Sequence, residues 1–517
     1  MSLEPSDTTP VLIGAAQFTQ RQPGPEGLHA VAMLERASRA ALADTGAGEA
    51  VLKAVDTTLT VAFTIDSARN RARGLPQIEN PPRRLSKALG IAPRREICTT
   101  TGGNTPQYVV NRMAEEIAGG ETKVALLAGA EFLHSYMRLL RAGEDMPGWF
   151  EDLPEPEIVW GDPREGTNAH ESAHGLNYPA NTYPLIEQAI RRERESSVNE
   201  HMAAMGRLMS PLSRVAADNP YAWFPVYRSP EEIATPAPEN RMVGFPYTKY
   251  MNAVIRVDQS AAVLMTSVGT ARELGVPREK WVFLHGCADA ADIWSVLERP
   301  EMHRSPAIRA TARRALDMAD WRIGDIDYLD IYSCFPSALE VACAELGIPE
   351  DDPRGLTVTG GLPYFGGPGN NYTMHAIATM MERLRAKPGS RGLVTANGWY
   401  LTKHAVGLYS TDPVTGPWAR EDPARLQAEL DAGPRLPVTE RPEGKGTIES
   451  FTVVHTREGV RMGIVIGRTE EGARFVANPP AEEALLLGLE ARDPIGRTGS
   501  VRPAPDGKTN LFVPDGI

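Results

Sequence analysis

Cysteine is scarce in this chain, which has four cysteines among 517 residues, at positions 98, 287, 334 and 343. They form no C-x-x-C pair and lack the dense spacing of a disulfide framework. No apolar run reaches the roughly 18 residues that a membrane-spanning helix needs. The opening residues MSLEPSDTTP lack the charged and apolar regions of a signal peptide. We therefore expect a reduced, cytoplasmic protein without membrane insertion.

Positive charge is also in deficit. Lysine and arginine total 54 against 66 acidic residues, for a net charge of -12. Such a surface repels phosphate backbones, which argues against a nucleic-acid partner. The 42% hydrophobic and 23% charged residues are ordinary for globular domains, and the length suffices for about three domains of roughly 150 residues.

The segment CTTTGGNTPQYVVNRMAEEIAGGETKVALLAGAEF, residues 98–132, has the pattern of a reaction centre. A Gly-Gly-Asn turn precedes an apolar-periodic helix containing Val109, Met113 and Ile117, and a Gly-Gly break then precedes the buried-strand run VALLAGA. Backbone N–H groups at such a helix start favour negative charge. The turn itself offers no nucleophile.

A second segment, GGPGNNYTMHAIATMMERLRAKPGSRGLVTANGWY, has the same layout of glycine turn, amide residue, helix, break and buried strand. Alternating strands and helices surround both copies, which predicts an α/β layer structure. We interpret the repeat as an internal duplication and expect the helices led by Asn104 and Asn370 to lie buried side by side.

Two other regions do not follow the alternating α/β pattern. Residues 133–250 predict long Pro- and aromatic-rich loops around one charged helix near LIEQAIRRERE, inserted over the α/β core. After a Pro-rich linker, short β-branched runs predict an all-β module, a five-stranded barrel of the OB kind that folds independently. The expected domains are residues 1–275, including the insertion, residues 276–416 and residues 430–517.

The tandem halves, the insertion and the segments DQSAAVLM, YSCFPSALE and GGLPYFGGPGNNY together resemble the thiolase superfamily. The SCP2-type branch is the most similar, and the β tail makes the chain similar to thiolase-like proteins of type 1, often labelled acetyl-CoA acetyltransferase. The resemblance covers residues 10–415, with the tail matching that subgroup. It implies a thiolase fold layered α-β-α-β-α, followed by a small OB-like domain.

The resemblance also implies that the three usual reactive side chains are missing. The acyl-accepting cysteine position falls on or near Gly103, the histidine of the Gly-His-Pro motif becomes Gly367, and the second cysteine position falls at Ala396. The His-Asp-Cys-Phe motif of the SCP2-type branch appears as YSCF, which keeps Cys334 and replaces the histidine by Tyr332.

Several residues remain candidates for chemistry. Cys334 precedes a helix whose dipole is expected to lower its thiol pKa, although a buried structural cysteine fits as well. His375, with Tyr372, could replace the missing histidine or only pack in the core, and His404 follows the last core strand. Tyr332 is included with these catalytic candidates. The oxyanion or substrate-binding candidates are Gly103, Asn104, Gly367, Asn371 and Asn397.

The run HESAH, His170 to His174, matches the H-E-x-x-H pattern of zinc hydrolases. Gly175, Asn177 and Pro179 follow directly, so we expect a solvated loop there and no metal site.

Two functions stay open. One is an acyltransferase or C–C bond-forming or bond-cleaving enzyme acting on coenzyme A (CoA) thioesters, with no tightly bound cofactor. The other is a catalytically silent CoA- or acyl-CoA-binding module that docks a partner protein. Monomer and homodimer both remain possible.

Overall fold

The computed structural model describes residues 4–22 and 27–516. The strands are β1 (Pro10–Thr19), β2 (Thr57–Thr60), β3 (Arg95–Thr99), β4 (Val124–Phe132), β5 (Ile158–Trp160), β6 (Met242–Gly244), β7 (Tyr247–Thr248), β8 (Asp258–Ser267), β9 (Val282–Ala291), β10 (Tyr328–Asp330), β11 (Arg391–Gly398), β12 (Lys403–Ser410), β13 (Gly444–His455), β14 (Val460–Thr469), β15 (Arg474–Ala477), β16 (Thr498–Pro503) and β17 (Asn510–Pro514). The α-helices are α1 (Ala30–Asp44), α2 (Gly48–Ala54), α3 (Ala68–Ala72), α4 (Pro81–Leu89), α5 (Thr105–Ala118), α6 (Leu133–Ala142), α7 (Ala169–Ala173), α8 (Pro179–Glu193), α9 (Val198–Asp218), α10 (Pro230–Ala234), α11 (Val268–Glu273), α12 (Pro306–Ala319), α13 (Pro336–Leu346), α14 (Tyr372–Ala386), α15 (Pro423–Asp431) and α16 (Glu483–Arg492).

The α/β core consists of two similar halves joined in one sheet. The strand order is β10-β11-β12-β9-β1-β8-β4-β2-β3-β5. Outward from the centre, β1-β8-β4-β2 in the first half corresponds to β9-β12-β11-β10 in the second. Within the sheet, the strands of the two halves pair where Val11 lies opposite Phe283 and Leu12 opposite Val282. This symmetry confirms the duplication predicted from the sequence.

Helices α5 and α14 lie between the two halves. They share one buried cluster in which Val109 and Met113 pack with Met374 and Ile377, against strands of both halves. Helices α1 and α4 cover the outer face of the first half, while α12 and α13 cover the second. The layers are therefore helix, strand, helix, strand, helix, and the expected burial of α5 beside α14 is confirmed.

The insertion contains five α-helices separated by irregular segments, so the prediction of a single helix there was wrong. Helices α6 to α10 all fall within residues 133–250. The longest, α9, begins with a capping box between Ser197 and Glu200 and contains Pro211. Its cap and the buried apolar side chains of Met205, Met209 and Leu212 stabilise the helix despite the proline.

The C-terminal module contains the five predicted strands. Their order is β15-β14-β13-β16-β17, and a bridge between Asn478 and Leu511 links the two outer strands. Helix α16, which the sequence pattern did not predict, packs on β13 and β14. Assignment of this module to the OB type stays a prediction.

This module also shares its core with the insertion. Val454 of β13 pairs with Gly244 of β6, and Phe245 lies in the apolar cluster of the module. Ile464 and Ile466 of β14 belong instead to the largest cluster of the α/β core. These contacts argue against the expectation that residues 430–517 fold independently. Within the described ranges, no helix is long and apolar enough to cross a membrane.

Candidate active site

The turn between β11 and β12 is strained. Trp399 and Leu401 have left-handed φ angles of 58° and 52° although neither is glycine. The Tyr183 hydroxyl, from the insertion, donates a hydrogen bond to the Trp399 carbonyl over 2.8 Å and accepts one from the Leu401 N–H over 3.3 Å. Arg299 donates to the Tyr400 carbonyl over 2.7 Å. Strain maintained by such contacts is typical of functional sites.

The residues after this turn line a cleft of about 380 Å³. The cleft begins at the first turns of α5, where Asn104, Thr105 and Tyr108 form one wall, and extends to α15. Lys403 and His404, the first residues of β12, lie beside Asp292, which follows the end of β9. The start of α5 thus faces ionisable side chains supplied by the second half.

His404 and Asp292 form a buried polar pair. The Nε2 atom of His404 lies 3.4 Å from Oδ2 of Asp292, whose carboxylate also accepts hydrogen bonds from Ser305 Oγ and, over 3.1 Å, from the Ala307 N–H. Burial raises the pKa of Asp292. The hydrogen bond and charge of His404, the charge of Arg299 and the Ser305 hydrogen bond outweigh burial, so the net pKa is lowered. A carboxylate kept ionised can orient the imidazole for proton transfer.

Lys403 is a functional candidate that sequence reasoning missed. Its Nζ donates a 2.7 Å hydrogen bond to the Thr101 carbonyl. Burial lowers its pKa to about 8, while the charges of Asp162 and Glu165 oppose that shift. The available signal was the pair Lys403-His404, two ionisable residues at the start of a strand that is otherwise largely apolar.

The position that resembles the acyl-accepting cysteine is closed to any side chain. A Cβ atom at Gly103 would clash with the Tyr332 hydroxyl and lie 2.5 Å from the Asn397 carbonyl oxygen. Tyr332 and Asn397 border a cavity of only about 10 Å³, roughly one water molecule, which His404 also lines. The phenol of Tyr332 therefore occupies the space that a nucleophile at residue 103 would need.

Cys334 does not have the lowered pKa expected from the dipole of α13. Burial is the largest influence and raises the pKa of its thiol to about 12. Its Sγ lies 3.9 Å from Nδ2 of Asn397, which donates to the Tyr183 hydroxyl over 2.8 Å. Cys334 lies outside the residues that line the cleft, and burial also raises the pKa of Cys98 to about 12.

His375 is buried away from the cleft. Its Nδ1 lies 3.0 Å from Oε1 of Gln17, and its ring packs edge-on to Phe365. Burial lowers the pKa of His375 to about 3, so the imidazole is neutral at physiological pH. The core-packing alternative therefore fits this geometry better than an acid–base role.

The oxyanion candidates separate into two groups. Asn104 lines the cleft, and its Oδ1 is buried without a hydrogen-bond partner. Asn371 packs against Gly129 of β4, and both polar atoms of its side chain lack partners. Gly367 donates to the Val254 carbonyl over 2.9 Å. Of the nine predicted site residues, the cleft lining contains Asn104 and His404.

The HESAH segment lies in the short helix α7 and its C-cap, with Glu171 and His174 buried, rather than in the expected solvated loop. Glu171 caps α7 with Asn168 and accepts a 2.7 Å hydrogen bond from Ser295. Nε2 of His174 accepts a 2.8 Å hydrogen bond from the Asn510 N–H of the β module. Glu171, the base of the H-E-x-x-H pattern, and His174, one of its two metal ligands, therefore already make contacts that join the insertion to its neighbours.

A different cluster could hold a metal ion by the proximity of its ligand atoms. Atoms of Glu187, His201 and Glu340 lie within 4.8 Å of one another, and all three residues are buried. His201 contacts Glu187 over 2.5 Å, Tyr247 donates to Glu187 over 2.6 Å, and Arg194 donates to Glu340 over 2.8 Å. These contacts place both carboxyl groups in one hydrogen-bonded network, in which Oε2 of Glu340 has no hydrogen-bond partner among the described residues.

Comparisons with known proteins agree with this architecture. The model of the thiolase-like protein type 1 additional C-terminal domain matches residues 425–508. A crystal structure of a monomeric SCP2-thiolase-like protein type 1 from Mycobacterium smegmatis is 37% identical, with a TM-score of 0.83, and the match covers 98% of this chain and 99% of that one. The acetyl-CoA acetyltransferase structure from Syntrophomonas wolfei is 16% identical, with a TM-score of 0.55 over 78% of this chain and 99% of its own.

The fold is a thiolase fold, in which a Cβ atom at Gly103 has no space. The chain belongs to the SCP2-thiolase-like protein type 1 family. A curated acetyl-CoA acetyltransferase from Methanothermobacter thermautotrophicus is 25% identical over 209 residues, which is 40% of this chain. The match spans 50% of that relative, so its named activity carries over only as a proposal.

Proposed function

We propose that the protein binds a CoA thioester in the cleft at the start of α5 and catalyses acyl transfer or the making or breaking of a C–C bond. The observation that carries this proposal is the His404–Asp292 pair in the cleft that begins at the first turns of α5. Residue 103, just before this helix, has no space for a nucleophilic side chain. Catalysis then depends on positioning and proton transfer rather than on an acyl-cysteine.

Each group has a distinct role in this proposal. His404 transfers a proton to or from the substrate, and Asp292 orients its ring from 3.4 Å. Backbone N–H groups and the positive end of the α5 dipole stabilise a developing oxyanion, with Asn104 contacting the substrate beside them. Tyr332 and Asn397 line the same small buried cavity as His404 and restrict the position of its ring. Of the four catalytic candidates, Cys334, His375, His404 and Tyr332, His404 thus takes the acid–base role in this proposal.

A second candidate is a CoA-thioester-binding protein without turnover. It is favoured by the Tyr332 phenol, which fills the nucleophile position, and by the raised pKa of Cys334. Binding in the same cleft is expected in both cases, so turnover discriminates between them.

The test combines binding with product analysis. We would incubate the protein with acetyl-CoA and 3-oxoacyl-CoA thioesters, alone and in pairs, and separate the products by liquid chromatography and mass spectrometry. His404→Gln should reduce any turnover by about 10²- to 10⁴-fold, the usual value of acid–base catalysis, while Cys334→Ala should change it little. Binding without turnover would favour the second candidate, and absence of binding would refute both.

Location, oligomeric state and domain division are also proposals. We propose that the protein is a monomer, because the Mycobacterium smegmatis relative is described as monomeric, and that it is cytoplasmic. We retain the division into residues 1–275, 276–416 and 430–517, and an OB-type barrel for the last of these. CoA would serve as a substrate or ligand rather than as a tightly bound cofactor.

A further inference from the structure

Lys403 has no anionic partner in a cleft where the acidic side chains do have partners. The residue is 6% exposed and lines the cleft, and its Nζ donates a hydrogen bond to a backbone carbonyl, that of Thr101. Across the described part of the chain, no carboxylate lies within ion-pair distance of its Nζ. Trp399 contributes a ring centroid 5.7 Å from that atom.

Asp162 and Glu165 act on Lys403 through their charge, but neither they nor the other acids beside the cleft form an ion pair with it. Asp162 is held by the Arg164 guanidinium, with contacts of 2.6 and 2.9 Å. Asp292 is engaged by Ser305 and His404, and Asp289 pairs with Arg420.

Two further acids complete the set. Asp431, on α15, accepts a 2.9 Å hydrogen bond from Gln427. Glu165 acts on Lys403 only through its charge and lies on the exposed segment after β5.

The start of α5 places a second buried polar side chain beside Lys403. A Cβ atom at Gly102 would lie 2.7 Å from both Lys403 Nζ and Asn104 Oδ1, so these two polar atoms converge on the same turn. Asn104 is 8% exposed, and its Oδ1 has no hydrogen-bond partner. The positive end of the 14-residue helix α5 reinforces the lysine charge at this point.

A buried ammonium without a counter-ion is unfavourable, and an anionic ligand oxygen removes that penalty. We propose that Lys403 binds a carboxylate on the acyl group of the substrate, so that the ligand class is CoA thioesters of dicarboxylic acids. This inference depends on the proposed function for the CoA part of the ligand. The carboxylate site itself depends only on Lys403 and the start of α5.

Ligand binding should then be coupled to protonation. The pKa of Lys403 is lowered to about 8, so near pH 8 about half of the molecules carry a neutral amine. Asp162 and Glu165 raise that pKa, Arg164 lowers it, and His404 is adjacent in the chain. A bound carboxylate favours the ammonium, so a carboxylate ligand should take up a fraction of a proton at pH 8.

The test uses two stable thioethers that differ in one carboxylate, S-(3-carboxypropyl)-CoA and S-butyl-CoA. Isothermal titration at pH 8 in buffers of different ionisation enthalpy measures affinity and proton uptake together. For the wild-type protein we expect the carboxylate ligand to bind at least about tenfold more tightly and to take up a proton fraction of up to about one half.

Two variants separate charge from structure. Lys403→Met should bind both thioethers equally and without proton uptake. Lys403→Arg keeps a permanent charge, so it should retain the preference for the carboxylate ligand and lose the proton uptake. If Lys403→Met does not fold, Lys403→Arg and the pH dependence of wild-type binding still test whether Lys403 binds the carboxylate.

The outcomes distinguish the two proposals. Equal wild-type affinities, or a preference that survives in Lys403→Met, would overturn the role of Lys403 while leaving the CoA site intact. Free glutarate serves as the probe when neither thioether binds. Glutarate binding with proton uptake that Lys403→Met abolishes would support the carboxylate site and refute CoA recognition, and no binding of any probe would refute both.

Discussion

Replacing Gly103 with alanine should destabilise the protein, because the added methyl group has no space. Three atoms crowd the Cβ position: the Tyr332 hydroxyl, the Asn397 carbonyl oxygen at 2.5 Å and Tyr332 Cζ at 2.8 Å. Overpacking of this kind costs about 1–3 kcal/mol. Because a glycine-to-alanine change also stabilises through the unfolded chain by about 0.4–1 kcal/mol, a matched control is needed.

Gly324→Ala provides that control, since nothing lies within 4 Å of its Cβ position. Both variants would be compared with the wild type by urea unfolding, scored by the change in midpoint at constant slope. Gly103→Ala should shift the midpoint down, whereas Gly324→Ala should leave it unchanged or raise it slightly.

A double-mutant cycle then identifies Tyr332 as the neighbour responsible. Tyr332→Phe removes the hydroxyl but leaves Cζ and the Asn397 carbonyl in place. The double variant Gly103→Ala/Tyr332→Phe should therefore recover part of the cost, with a coupling energy of about 0.5–3 kcal/mol. If Gly103→Ala proves as harmless as Gly324→Ala, or if the two changes are strictly additive, Tyr332 does not fill the nucleophile position.

Three further predictions concern other parts of the chain. Burial lowers the pKa of His375 from an ordinary 6.5 to about 3. Between these pH values the unfolded state binds one more proton than the folded state. The free energy of unfolding therefore falls as the pH drops from 6.5, by up to roughly 1.4 kcal/mol per pH unit. His375→Gln should show a shallower loss in unfolding experiments from pH 6 to pH 4, and equal slopes would contradict the buried neutral imidazole. Native protein should resist iodoacetamide at pH 7.5 at every cysteine, as mapped by peptide mass spectrometry, because all four thiols are buried, and rapid labelling of Cys334 would show that it is accessible. A fragment of residues 430–517 should give a poorly dispersed amide spectrum, because β14 packs in the α/β core, whereas a well-dispersed spectrum would restore the expectation of independent folding.

The sequence pattern predicted the duplicated core because its signals are local and strong. Glycine turns, apolar spacing and buried strands occur in the same order around α5 and α14, and two copies of one layout imply two copies of one unit. In the insertion the Pro- and aromatic-rich segments are irregular as expected, but helices such as α9, which the Ser197 cap and tertiary packing stabilise, were missed. Tertiary packing routinely overrides such local preferences.

The site was predicted only in part, for a different physical reason. The helix start at Asn104 follows from the local turn and helix pattern and the approach of His404 from the resemblance, and both residues line the cleft. The environment of a side chain cannot be read from neighbours in sequence: Cys334 and His375 are close to the expected motifs but are fully enclosed, which shifts their pKa values away from reactivity. Lys403 was missed because it stands out only by being buried without a carboxylate at ion-pair distance, which the sequence does not reveal.

A crystal structure of the protein with S-butyl-CoA tests most directly whether the cleft at the start of α5 is the functional site. We expect the sulfur atom and the first acyl carbons between Asn104 and His404, with the remaining CoA extending along the cleft past Trp294 and towards α15. A ligand bound against Cys334, or anywhere outside the cleft, would contradict the assignment of the site.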